Sequence, residues 1–167
     1  MKGGLISSKP LEVVAKPIEE YEGHMRVNST EKMDVVAFVG ATNFYLNKTD
    51  HQARKNAKGA LVIYMDIEVA DKLFKAAGLQ VPYDEDDESM MGLCGSLCQS
   101  IADALRDGLA AQGYNPLEVS TPDVYRNSIS GGIEFSKEQE EKQELSFYFL
   151  KHKALVIDWT LSPIPKK

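Results

Sequence analysis

The stretch Ser89-Met-Met-Gly-Leu-Cys-Gly-Ser-Leu-Cys-Gln-Ser-Ile-Ala-Asp-Ala-Leu-Arg-Asp-Gly-Leu-Ala-Ala-Gln112 decides how this chain is read. Met90, Cys94, Leu97, Ile101, Leu105 and Leu109 recur at helical spacing, flanked by Met91, Leu93, Cys98 and Ala104, which predicts one long helix with a broad buried face. Steps of three and four residues set Gly92, Ser96, Gln99, Asp103 and Asp107 in a polar stripe pointing away from that face, with Arg106 beside it. Gly113 supplies the stop. The acidic run Asp84 to Glu88 lies at the helix start, where each carboxylate stabilises the dipole by about 0.3–1 kcal/mol. Docking a basic partner surface is the other use for such a run.

Upstream of the helix, Leu11 to Ile18 is β-branched but carries Pro17, which suits an edge strand or an irregular segment. Asp34 to Gly40 with Asn43 to Leu46 reads as a strand, Gly40 marking a bulge. Lys48 to Lys58 is polar and turn-forming, and Gly59 to Met65 is a second strand that completes a hairpin with the first. Asp66 is the N-cap of a shorter helix from Ile67 to Ala77, closed by Gly78. Downstream, strands are expected at Leu117 to Tyr125, kinked at Pro122, at Ile129 to Phe135, and as a pair at Leu145 to Leu150 and Ala154 to Leu161. Ser130-Gly-Gly132 reads as a turn and Glu138 to Glu144 as a solvated loop. Strands, then two helices, then strands imply an α+β fold, a mainly antiparallel sheet with two or more helices packed on it. With no repeat or Pro/Gly/Ser linker, residues 1–167 are read as a single domain.

Composition excludes several function classes. At 43% hydrophobic and 26% charged, 167 residues fit a globular domain large enough to form its own core. Nineteen Lys and Arg against 25 Asp and Glu give a net charge of -6, so no nucleic acid and no anionic membrane surface is expected as partner. No apolar run is long enough for a membrane span, and the opening residues lack a secretory pattern, so a cytoplasmic location is expected. Cys94 and Cys98, four apart on one helix, would make a strained disulfide and read as small buried residues. His24, His51 and His152 have no ligand spacing with them and read as surface residues, so no metal site is expected. Motifs of nucleophilic elbows, phosphate loops and dinucleotide binding are absent.

The segment Gly95-Ser-Leu-Cys-Gln-Ser-Ile-Ala-Asp103 resembles the helix of the CheC/CheX/FliY chemotaxis phosphatases, which reads Gly-Glu-hydrophobic-x-Asn-x-Ile-Ala-Gly. In that family a Pro follows the Asn about twenty-two residues later; here twenty-two residues separate Gln99 from Pro122. The order of strands and helices, including Ser120-Thr-Pro-Asp-Val124, is also similar over roughly residues 10 to 162, although the family's N-terminal helix has no counterpart. The resemblance implies action on, or binding of, a phosphorylated CheY-type response regulator, whose aspartyl phosphate the family hydrolyses. It implies no cofactor of the chain's own, Mg coming from the partner, and pairing of two copies through a continuous sheet.

Two departures touch the chemistry. The family's Glu, which anchors on a partner Lys, is Ser96 here, and its Asn, which orients the attacking water, is Gln99. A Gln carboxamide has the same donors and acceptor as Asn on one more methylene, and CheZ, an unrelated phosphatase of the same substrate, is similar in using a Gln. Ser96 carries no charge; Asp103, one turn beyond Gln99 on the stripe, is the carboxylate available to substitute, with an altered docking geometry. The resemblance therefore assigns catalysis to Gln99 and Ser96 and partner binding to Gly92, Asp103 and Pro122. Three readings stay open: an ordinary polar helix face, a docking surface without hydrolysis, and a phosphatase built on Gln. A non-catalytic homodimeric scaffold, pairing through an edge strand such as Leu145 to Leu150, is the alternative.

Overall fold

The computed structural model of the chain describes residues 12–18, 24–25, 32–33, 37–81, 86–127, 133–134, 141–149 and 152–166. In chain order the strands are β1 (Glu12–Pro17), β2 (His24–Met25), β3 (Ala37–Tyr45), β4 (Gly59–Asp66), β5 (Glu118–Val119), β6 (Asp123–Arg126), β7 (Ile133–Glu134), β8 (Glu141–Phe149) and β9 (His152–Leu161). The helices are α1 (Lys48–Ala53), α2 (Ala70–Ala76) and α3 (Asp87–Ala111). Seven strands form one antiparallel sheet in the order β1-β8-β9-β4-β3, with β5 and β6 both laid along the outer side of β3. β2 and β7 pair separately.

The centre of the sheet is buried on both faces. Every residue of β4 is buried, so its sequence Gly-Ala-Leu-Val-Ile-Tyr-Met-Asp shows no alternation although its side chains do. Leu61, Ile63 and Met65 join Phe38, Phe44, Leu155 and Ile157 beneath α3, together with Met90, Cys94, Cys98 and Ala102 of the helix. Ala60, Val62 and Tyr64 join Ala37, Val39, Ala41 and Val156 on the opposite face. At about 25 cal/mol per Å² of apolar surface, burying side chains of this size contributes about 1.5–3 kcal/mol each.

Helix α3 lies flat on the sheet because small residues let it. A Cβ on Gly40 would meet Cys98 Cβ at 3.2 Å and Ile63 Cγ1 at 3.3 Å, so the glycine is a notch for the helix. The bulge expected at Gly40 does not occur: its pairing with Ile63 and with Val124 runs in unbroken register. The centre of the buried helix face is Met90-Cys94-Cys98-Ala102, whereas Ala104 is exposed and Leu97, Ile101, Leu105 and Leu109 are half-buried at its margins. Asp86 Oδ1 caps the start by accepting from Ser89 N at 2.7 Å, and Gly113 leaves the end at φ +96°. Asp66 Oδ1 likewise accepts from Glu68 N at 2.8 Å, capping the 3₁₀ turn 67–69 that leads into α2.

Three other expectations are corrected. The segment Lys48 to Lys58 contains α1, begun by Asn47, whose side chain accepts from Asp50 N. Residues 141–144 are the start of β8 rather than a solvated loop, and Glu144 is buried. Its carboxylate meets Lys32 Nζ at 2.8 Å, a partner 112 residues away that local composition does not reveal. Leu145 to Phe149 is not an edge: β8 is enclosed by β1 and β9, and β1, with Val13 and Val14 exposed, is the terminal strand. Of the strand expected at Ile129 to Phe135, only β7 falls within the described residues; Ser130-Gly-Gly132, Asp84 and Glu85 lie outside them.

Candidate functional site

The first part of the polar stripe of α3, Gly92, Ser96 and Gln99, borders a groove, whereas Asp107 at its far end is open to solvent. Strands β5 and β6 lie along β3 with an interruption at 120–122, where Ser120 ties the chain down by a backbone bond from its N to Asn43 O at 3.0 Å and by side-chain bonds. Thr42 Oγ1 donates to Ser120 O at 2.6 Å, and Asn43 N donates to Ser120 Oγ at 2.9 Å. Pro122 has no N–H to give and suits this break. Across from it, a Cβ on Gly95 would meet Val124 Cγ2 at 3.1 Å, so α3 and β6 are in close contact at the groove floor.

The resulting groove, about 490 Å³ and open to solvent, is lined by Gly92, Gly95, Ser96, Gln99, Thr121, Pro122 and Val124. The structure thus brings together four residues singled out in the sequence, Gly92, Ser96, Gln99 and Pro122. It places Asp103 at their margin, as the hydrogen-bond partner of Gln99. Gly95, Thr121 and Val124 were not singled out as site residues, although their segments carried the family resemblance; their signal is tertiary, since only the return of 118–126 to β3 brings them under the helix.

Each polar group has a defined role in the local network. Ser96 is exposed and its hydroxyl donates back to Gly92 O at 3.2 Å, an i−4 bond within the helix, so what it offers outward is an uncharged acceptor. Gln99 is half-buried and its Nε2 donates to Asp103 Oδ1 at 2.9 Å. Asp103 in turn meets Arg106 Nη1 at 3.3 Å, and Arg106 Nε donates to Asp107 Oδ1 at 3.0 Å. The bond to Asp107 is the largest influence holding the Arg106 guanidinium above its ordinary value; the Asp107, Asp103 and Glu118 charges add to it against a smaller opposing effect of burial.

The remaining reactive groups lie away from this groove surface. Cys94 and Cys98 are both reduced and buried under the helix; burial pushes the Cys94 thiol up to about 12, and burial with the Cys94 charge raises Cys98 further. His51 stacks on Tyr45 with ring centroids 5.3 Å apart. His152 is half-exposed, and its Nε2 contacts the buried Asp66 carboxylate. Among the described residues no helix is long and apolar enough to cross a membrane.

No family model and no curated protein matches the chain. Solved structures do match. A CheC-like superfamily protein from Shewanella sp. PV-4 aligns with a TM-score of 0.53 at 17% identity, over 95% of this chain and 88% of its own. The chemotaxis protein CheX from Vibrio vulnificus gives 0.54 at 13% identity over 93% and 87%, and a chemotactic CheC-like protein from Shewanella oneidensis MR-1 gives 0.54 at 16% over 93% and 86%.

Proposed function

The chain has the CheC/CheX-type fold, and on that premise we propose that its groove docks a phosphorylated CheY-type response regulator and promotes hydrolysis of the aspartyl phosphate through Gln99. What supports this reading is the convergence of Ser96, Gln99 and Pro122 on one solvent-open groove. In an ordinary polar helix face, the stripe would have no wall opposite it.

The chemistry asked of the chain is small. A water oxygen forms a bond to phosphorus, the bond from phosphorus to the aspartyl oxygen breaks, the aspartate leaves as carboxylate, and the water's proton passes to the inorganic phosphate. Such a transfer depends on positioning and on charge stabilisation, and the regulator's own Mg supplies much of the latter. The Gln99 carboxamide is placed to hold the water in line, its carbonyl accepting from the water while the helix and Pro122 fix the approach. Ser96 contributes a hydroxyl at the rim without the charge that would anchor a partner Lys, so docking is weaker than a carboxylate at that position would give.

The test is the decay of phosphorylated CheY-type regulators with a catalytic amount of the chain and with Gln99→Ala. The expected outcome is an acceleration that Gln99→Ala lowers roughly a hundredfold, the loss associated with misplacing a reacting group by about 1 Å. If several regulators decay unaided at the same rate with and without the chain, hydrolysis is excluded. Binding of the phosphorylated form that survives Gln99→Ala then identifies a docking module.

A further inference from the structure

We infer that Asp103 is the positioning residue of the groove: with Arg106 behind it, it fixes the Gln99 carboxamide so that the carbonyl oxygen faces the groove, which makes the groove selective for a hydrogen-bond donor. This rests on the groove being the functional site.

The orientation of the amide follows from the chemistry of its partner. A carboxylate only accepts, so the end of Gln99 within 2.9 Å of Asp103 Oδ1 is the NH₂ group, and the O/N assignment is not free. Asp103 lies one helical turn beyond Gln99, whereas the groove lies on the other side, toward Gly92, Ser96 and Pro122. With nitrogen held on Asp103, Oε1 is the end presented to the groove. Asp103 is itself steadied by Arg106 Nη1 at 3.3 Å, and Arg106 by Asp107 at 3.0 Å, so the amide ends a chain of charge-assisted contacts along one helix face.

The need for such a device comes from the side chain's length. Gln has one more rotatable bond than Asn, and holding a longer side chain in one rotamer loses more conformational freedom. A carboxylate at i+4 removes that freedom before a ligand arrives, which is how preorganisation lowers the barrier to binding and to reaction. The donor that Oε1 would accept from is a water O–H or a partner N–H. An anionic oxygen brought directly to Oε1 is repelled, so the phosphoryl group is reached only through an intervening water.

The experiment compares Asp103→Leu, which keeps size and removes the acceptor, with Asp103→Asn, which keeps an acceptor oxygen. The first readout is the pair of Gln99 side-chain ¹H–¹⁵N resonances, identified by their loss in Gln99→Ala. In the full chain without ligand, Asp103→Leu moves this pair toward the positions of a solvent-exposed amide, and Asp103→Asn restores part of the difference. The second readout is regulator dephosphorylation, where Asp103→Leu lowers kcat about tenfold, the effect of one hydrogen bond to a charged group, with little change in KM, and Asp103→Asn recovers part of it. Unchanged Gln99 resonances in Asp103→Leu overturn the positioning role. Resonances that move as expected in a chain with no turnover on any regulator uphold the positioning role and overturn the hydrolytic function.

Discussion

Gln99 and Cys98 are neighbours in sequence and opposites in environment, and the contrast shows how the helix separates a buried face from one that lines a groove. Cys98 is fully buried with Cys94, and both thiols are raised well above their ordinary value, first by burial. Neither supplies thiolate in the folded state. In the native protein at pH 8, a disulfide reagent such as Ellman's is expected to label neither cysteine faster than the protein opens, and labelling should rise to the rate of a free thiol only in denaturant. Rapid labelling of the native chain would show that α3 does not stay on the sheet. Gln99, one residue on, lines the groove, and its Nε2 donates to Asp103. This division was legible in the sequence, because the apolar and polar positions of residues 89–112 fall on opposite sides of a 3.6-residue period.

The contact between α3 and β3 is set by Gly40, and it holds the groove wall in place. A Cβ there meets Cβ of Cys98, which a helix backbone cannot move aside, so Gly40→Val is expected to lower stability by about 1–3 kcal/mol through overpacking. The urea midpoint measures the loss, and a variant as stable as the parent would mean that the helix shifts freely. The sequence indicates a special backbone position at Gly40 but assigns it the wrong cause. A bulge and a close helix approach both call for a residue without a side chain, and only the partner strands distinguish them. The same limit explains β8. Glu141 to Glu144 has the composition of a loop, and its place in a strand depends on Lys16, Lys32 and Asp158, which are remote in sequence. By contrast, β4 and the helices α2 and α3 could be read directly, because burial on both faces and helical spacing leave continuous local signals.

At the scale of the molecule, the sheet carries its apolar contacts to α3 on one face and a buried ionic network on the other. Lys32 Nζ meets Glu144 at 2.8 Å and Asp158 at 3.1 Å, Tyr64 OH donates to Asp158 at 3.1 Å, and Lys16 reaches Glu144 at 3.3 Å. Burial would raise the Glu144 carboxyl, but the bond to Lys32 and the Lys32 and Lys16 charges outweigh it and hold the group below its ordinary value. A carboxyl lowered in the folded state adds stability that is fully present above the unfolded value, about 4.3, and is lost as pH falls through the folded value. Glu144→Gln should therefore flatten the acid limb of a urea-midpoint profile, and an unchanged slope would remove Glu144 from that limb. Lys32→Met removes the cation that the buried Glu144 and Asp158 share, leaving Lys16 on Glu144, and should cost about 3–5 kcal/mol at pH 7, read from the urea midpoint.

Gly92 stands at the other extreme, because nothing lies within 4 Å of where its Cβ would be. A side chain introduced there grows into the groove without touching either face of the sheet, and it gains up to about 1 kcal/mol of helix propensity over glycine. Position 92 is thus open to change: an acidic, basic or aromatic head can be added there, two turns from Gln99 and one from Ser96, while the core is undisturbed. A fold of this kind can take on new chemistry along that groove and keep its shape.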